Sequence, residues 1–495
     1  MIKLVCNSDR NEYDIRPLVM SFFPGENMEY TISDACDIKN NMENKDTIYI
    51  VLEDLNIHIS IGGIEKKVSY DEIPDTKLYR DDLKRNIYML LSEVTGKVNS
   101  WGTLTGVRPS KIPMMYLREG ENFENVKEHM MQHYFCSEEK AQLCTEVAAN
   151  EIRILDMIEY EKGYSVYIGI PFCPTVCNYC SFASISLAKT KNAGDLMRAY
   201  MQALEKECIS AKDLFSGKRI SSLYIGGGTP TAFDEECLEW LMRIVKENFV
   251  IDEQCEFCVE AGRPDSINRE KLLILKNAGV TRISINPQTM KPETLKLMGR
   301  NHSVEQVREI FELARTLGFD NINMDLIAGL MGETPEDFSH TLDEIKKLSP
   351  DSFTVHSLVV KRASEYRTQC EANDSAQNAQ NNDGNVVEKM LDMAADFARE
   401  YGYMPYYMYR QKNKAGLGTN SVLENVGYAK AGKESVYNIV IMEEKQSILA
   451  FGAGASSKFL FGDRLERVAN VKNVNEYISR IDEMTERKKR GLYNE

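Results

Sequence analysis

The chain has 495 residues, enough for two or three domains. Its net charge of −15 and pI near 5.2 argue against a nucleic-acid binder. No run of about twenty apolar residues predicts a membrane span, the N-terminus lacks the basic-then-apolar pattern of a secretion signal, and twelve cysteines without such a signal point to a reducing cytoplasm, not a disulfide framework.

Residues 1–160 read as an α+β extension. Short β-like runs at 1–6 and 47–52 precede helical segments at 80–94 and 137–160. Between these helices, Trp101-Gly-Thr-Leu-Thr-Gly-Val-Arg-Pro-Ser-Lys-Ile reads as a turn into a helix; its Arg108 and Lys111 suit either an acidic partner or solvated surface. His129 and His133 share one helix face, as surface histidines do.

From residue 161 the pattern changes. Apolar runs at 165–170, 222–225, 256–260, 282–286, 321–326 and 352–358 alternate with segments of helical period at 196–214, 237–248, 269–278 and 304–317. This alternation predicts a parallel sheet with helices outside it. Six such units predict a partial (β/α)6 barrel, with its chemistry at the carboxyl ends of the strands.

The first strand runs into Pro-Phe-Cys-Pro-Thr-Val-Cys-Asn-Tyr-Cys, which holds Cys173, Cys177 and Cys180 at C-x3-C-x2-C spacing. A loop this short can wrap three thiolates around one metal centre. Three ligands leave one iron of a four-iron cluster open to a non-protein ligand. A zinc site would ordinarily need a fourth Cys or His, and none follows before Cys208. Three buried, reduced cysteines are the plainer alternative. After the second strand comes Gly226-Gly227-Gly228-Thr229-Pro230-Thr231, where glycines let backbone approach a ligand closely; a flexible turn would also account for it. The third strand ends at Glu260 and leads into Gly-Arg263-Pro-Asp. Gln288 follows the fourth, Arg300 lies in Met-Gly-Arg-Asn-His, and Asp325 is on the fifth. His302 and His356 are placed to face the same cavity. Cys255-x-x-Cys258 is read as core packing of the third strand.

The cysteine loop resembles that of the radical S-adenosylmethionine (SAM) superfamily, and the Gly-Gly-Gly-Thr-Pro-Thr string resembles its oxygen-independent coproporphyrinogen III oxidase branch. The N-terminal extension with its Thr-Gly-Val-Arg-Pro turn resembles the Bacillus-type coproporphyrinogen dehydrogenase subgroup. The resemblance implies a [4Fe–4S] cluster on Cys173, Cys177 and Cys180, and one or two SAM molecules. The SAM contacts it implies are Tyr167, Tyr179, Gly227, Gly228, Thr229, Glu260, Gln288, Arg300 and Asp325, the glutamine, arginine and aspartate serving a second SAM where two bind. It implies no catalytic side chain beyond cluster and cofactor, whose 5′-deoxyadenosyl radical performs the difficult step. An electron donor such as flavodoxin or ferredoxin is also implied.

Beyond the sixth strand, Lys361, Arg362 and Arg263 are candidate cations for a tetrapyrrole's propionates. Residues 369–385 are polar and of low complexity, which predicts a mobile loop closing the 161–368 core. A helix at 386–401 opens a mainly helical α+β domain, 386–495. Its Phe451-Gly-Ala-Gly-Ala-Ser-Ser resembles the branch's C-terminal signature or is a tight-packing turn.

The reaction implied is oxidative decarboxylation of two propionates of coproporphyrinogen III, giving protoporphyrinogen IX for anaerobic heme biosynthesis. Two departures keep other readings open. Oxidases of this type carry a further cysteine where Phe182 stands, and Cys-Ser-Phe is closer to the heme-chaperone relatives. Those relatives in turn carry His-Asn-x-x-Tyr-Trp where this chain reads Tyr437-Asn438-Ile-Val-Ile-Met. A heme-binding chaperone, or radical methyl transfer or ring opening of heme, therefore remain alternatives, since a fold does not fix a reaction.

Overall fold

The computed structural model describes residues 1–23, 26–180, 182–358, 384–410, 423–462 and 464–493. It divides into two compact units. The first takes the described residues within 1–149, 382–389 and 408–425, and the second those within 150–381, 390–407 and 426–495. The expected loop at 369–385 falls outside the described residues up to 383, as do Lys361 and Arg362.

In the first unit, strands β1 (Ile2–Cys6), β2 (Met28–Ile32), β3 (Thr47–Leu52), β4 (Asn56–Ile61) and β5 (Ile64–Ser69) form one sheet in the order β2-β1-β3-β4-β5. The helices Glu12–Phe22 and Thr76–Thr95 share a buried core with it. Thr76–Thr95 buries Tyr79, Leu83, Ile87 and Leu91 at successive four-residue steps, one stripe of a helix. Asp75 caps its start by accepting from the backbone of Lys77 and Leu78, and Gly96, at φ 68°, ends it. A buried polar knot gathers around the Trp101 turn. Glu424 accepts from Lys140 and, at 3.1 Å, from Trp101 Nε1. Arg410 lies 4.8 Å over the Trp101 ring and donates to Leu104 O at 2.6 Å. Burial pushes the Arg410 guanidinium down to about 10.

In the second unit, β6 (Gly163–Ile170), β7 (Arg219–Gly227), β8 (Glu256–Gly262), β9 (Arg282–Ile285), β10 (Ile322–Ala328) and β11 (Ser352–Ser357) lie side by side in chain order, all parallel. The helices Ala193–Ala211, Glu235–Asn248, Arg269–Ala278, Val304–Thr316 and Pro335–Leu348 connect them. This is the expected (β/α)6 arrangement. Asp234, Asn268, Ser303 and Thr334 each cap the helix that follows, so the turns above the strands end in polar N-caps. The six strands do not close on themselves. At one edge β6 pairs in parallel with β14 (Ile448–Phe451), which leads into β15 (Ser456–Phe461) and β16 (Arg464–Ala469). At the other, β11 pairs antiparallel with β13 (Glu424–Ala429), flanked by β12 (Met404–Arg410). The C-terminal helices include Gly384–Glu400 and Val436–Glu443. Residues 433–437 cross the amino ends of the barrel strands. Glu256 accepts from the backbone of Val436 and Tyr437, and Arg282 donates to Lys433 O. Among the described residues no helix is long and apolar enough to cross a membrane.

Candidate active site

The carboxyl end of β6 leads into the cysteine loop, which a two-residue parallel ladder brackets: Phe172 against Ile185 and Cys173 against Ser186. Cys173 and Cys177 are buried and Cys180 half-buried. Burial pushes the Cys180 thiol up. The loop is tied down from two sides. On one, Asn178 bonds through its backbone to Met298 O and through its side chain to Leu297 O, both at 3.2 Å. Tyr179 Oη accepts from Arg300 Nη2 at 3.1 Å, while Arg300 Nη1 donates to Asn286 O. On the other, Arg263 Nη1 reaches both the carbonyl and hydroxyl oxygens of Thr175.

The glycine run follows β7. Gly228 N donates to Ile170 O and Thr229 N to Phe172 O, so the run is stitched to the start of the cysteine loop. A Cβ on Gly228 would stand 2.5 Å from Phe172 O, and one on Gly226 would stand 2.7 Å from the Glu260 carboxyl. At Gly228 the obstacle is backbone; at Gly226 it is the Glu260 and Tyr224 side chains, which would have to shift. Thr229 Oγ1 donates toward Cys173 Sγ at 3.5 Å.

Glu260, at the end of β8, accepts from Gly227 N at 3.1 Å and from Tyr224 Oη at 2.5 Å. Loss of water pushes its carboxyl up to about 7, with the Asp325 charge adding and the Tyr224 and Gly227 bonds opposing. Beneath it three tyrosines stack: Tyr224 lies 4.4 Å from Tyr437 and 6.3 Å from Tyr167, centroid to centroid. Burial raises all three phenols.

Gln288 has φ 68°, a left-handed backbone that is uncommon for a residue with a side chain. Its N donates to Asp325 O and its carbonyl accepts from Ile327 N, both at 2.9 Å, which couples it to β10. Asp325 accepts from Asn323 Nδ2 at 2.8 Å, and His356 Nε2 lies 3.9 Å away. His302 is buried by Arg300, and burial followed by that cation pushes its imidazole down to about 3.

The sequence-predicted residues thus converge on one end of the barrel, apart from Lys361 and Arg362, which lie outside the described residues. Reading the sequence did not single out Tyr224, Asp265 or the tyrosine stack. Tyr224 had a signal: it stands two residues before Gly226, on the same face of the strand. Tyr437 had none, because its partners lie far away in the chain.

A family model described as Radical SAM superfamily matches residues 167–345. The "Oxygen-independent coproporphyrinogen-III oxidase-like protein HemZ" of Bacillus subtilis is 35% identical over 487 residues, 94% of each chain. The chain belongs to the coproporphyrinogen oxidase branch of the radical SAM superfamily. The heme chaperone HemW of Bacillus subtilis, 32% identical, covers 64% of this chain and 76% of its own. The solved structure of coproporphyrinogen III oxidase (HemN) from Escherichia coli, a radical SAM enzyme, overlays with a TM-score of 0.51 at 25% identity, over 67% of this chain and 72% of that one.

Radical SAM membership implies a [4Fe–4S] cluster and SAM binding, and the residues present fit both. Three thiols share one braced loop, and hydrogen-bond donors point at two of the sulfurs. The glycine run carries no Cβ and is bonded to both the cysteine-loop strand and an acidic side chain, Glu260. Among the described residues no three His, Cys, Asp or Glu side chains gather as they would around a single ion.

Proposed function

We propose that this protein carries out the radical SAM oxidative decarboxylation of two propionates of coproporphyrinogen III, giving protoporphyrinogen IX. The observation that carries the reading is the match along 94% of the chain to an oxygen-independent coproporphyrinogen-III oxidase-like protein. When bound, cluster and SAM supply a reducing electron and the means to remove a hydrogen atom from a propionate β-carbon; loss of CO2 and of one electron to an acceptor then leaves the vinyl group. In this reading Cys173, Cys177 and Cys180 hold the cluster. Gly227, Gly228 and Thr229 lie against SAM, which can approach closely where the glycines carry no side chain, and Glu260 faces its positive charge. Tyr167 underlies the cofactor. Gln288, Arg300 and Asp325 line the neighbouring sector, where a second SAM fits the family pattern. Lys361 and Arg362 remain substrate candidates on sequence grounds alone. The supply of electrons by flavodoxin or ferredoxin and a place in the cytoplasm belong to the same proposal.

The heme chaperone match favours a second reading, heme binding without turnover. Against it, the stretch that in those relatives reads His-Asn-x-x-Tyr-Trp places Tyr437 inside the tyrosine stack and bonds Asn438 to Tyr406 Oη. The test is anaerobic reconstitution followed by dithionite, SAM, coproporphyrinogen III and a cell-extract acceptor, with 5′-deoxyadenosine and tetrapyrrole masses followed together. Substrate-dependent 5′-deoxyadenosine with a loss of two CO2 supports the decarboxylase. An intact cluster with no turnover, together with tight binding of added heme, supports the chaperone. Methylated or ring-opened tetrapyrrole would replace both with the third chemistry.

A further inference from the structure

We propose that Arg263, oriented by Asp265, is a positioning residue for the cysteine loop whose guanidinium donates toward the Cys177 sulfur and raises the reduction potential of the cluster held there. The inference rests on the three-cysteine cluster reading and reassigns a cation first considered for substrate.

The Arg263 side chain is only 3% exposed. Its Nε and Nη2 form a two-point pair with the Asp265 carboxylate, at 2.9 and 2.6 Å. That pairing fixes the plane of the guanidinium and turns Nη1 toward the loop. There Nη1 meets Thr175 O and Thr175 Oγ1, each at 2.7 Å, and stands 3.9 Å from Cys177 Sγ. The planar fork thus spends its donors inward, and little of it is left for a propionate.

Two effects follow. The fork braces Thr175, two residues before Cys177, where the loop must hold its shape while ligating a metal centre. A donor aimed at a cluster sulfur also stabilises the reduced, more negative state, because hydrogen bonds to sulfur are among the levers that set cluster potentials. Asp265 neutralises the pair at long range, while Nη1, whose two N–H bonds are shared between Thr175 and the sulfur 3.9 Å away, still presents positive charge to that sulfur. Lysine cannot reproduce this, since a point ammonium has no fork to hold Asp265, Thr175 and Cys177 together.

The test is an anaerobic redox titration of the reconstituted cluster, followed by electron paramagnetic resonance, together with the rate of cluster loss to an iron chelator. Neither readout needs substrate or turnover. Wild type is measured first; failure to assemble a cluster would overturn the cluster reading itself. Given an assembled wild type, Arg263→Gln is expected to shift the reduction equilibrium at least tenfold toward the oxidised form, about 59 mV more negative for one electron, and to speed cluster loss several-fold. Arg263→Lys is expected to shift in the same direction by less, and it decides alone should the glutamine variant not fold. A wild-type potential in the folded variants would overturn the proposal, even with faster cluster loss. So would unchanged potential and cluster lifetime with a raised KM for the tetrapyrrole, which would return Arg263 to the substrate.

Discussion

Single side chains in this site carry distinct, separable expectations. Cys177→Ala should lose the cluster's visible absorbance and all SAM cleavage, because two thiolates cannot hold a four-iron cluster that also keeps an open iron. Glu260 gives a pH signature. Its folded value of about 7 stands above the ordinary 4.5, so it favours the fold fully below pH 4.5, and that advantage is lost as pH rises to about 7. The cationic cofactor prefers the ionised carboxylate. SAM affinity of the reconstituted protein should therefore climb with pH and level off above about 7, read by calorimetry, and Glu260→Gln should flatten the profile. In the first unit, Glu424→Ala removes the carboxylate that Lys140 and Trp101 share in a dry interior. Breaking a buried ion pair of this kind costs about 3–5 kcal/mol, so a clear drop in melting temperature is expected.

At the scale of elements, the two outer glycines of the run after β7 do different work. Gly228→Ala sets a methyl against the carbonyls of Phe172 and Ile170, which are backbone and cannot turn aside. Overpacking of this kind costs roughly 1–3 kcal/mol, and the displaced segment leads into the cysteine loop, so both thermal stability and cluster yield should fall. Gly226→Ala instead meets side chains, the Glu260 carboxyl at 2.7 Å and the Tyr224 ring at 2.8 Å; both must shift, so the fold should survive at some cost while SAM binding weakens. A thermal melt and a SAM titration on the two variants separate these outcomes. The same elements show why the barrel was legible in the sequence. Its strands are buried nearly along their whole length: in β6, Val166, Ile168 and Ile170 fill one face while Ser165, Tyr167 and Gly169 take the other, and only Tyr167 is not fully buried. Cysteines, glycines and Glu260 stood out because they sit where those strands stop. The strands of residues 404–410, 424–429 and 448–451 were not foreseen, because each owes its structure to partners elsewhere in the chain. The turn of Gly452 was only half legible. At φ 100°, it packs so that a Cβ would meet Gly169 O at 2.4 Å, a contact no local pattern announces.

For the molecule as a whole, the first unit is discontinuous: the described residues within 382–389 and 408–425 belong with those within 1–149. A chain beginning at residue 161 would keep Arg410 and Glu424 but lose the Trp101, Leu104 and Lys140 that bond and cover them, exposing surface the full chain buries. Such a fragment is expected to aggregate or melt well below the full chain, measurable by size-exclusion chromatography and thermal denaturation. The pairing of β6 with β14 has a further bearing on how the protein comes into being on the ribosome. The strand that feeds the cysteine loop is among the first of the barrel to emerge, yet its ladder at Ser165–Ile168 is completed only by Ile448–Phe451. At elongation speeds of roughly 5–20 residues per second, that edge waits on the order of 15–60 s as an unpaired, aggregation-prone strand edge. The nascent chain, more than the finished one, is therefore the form that needs a chaperone's cover.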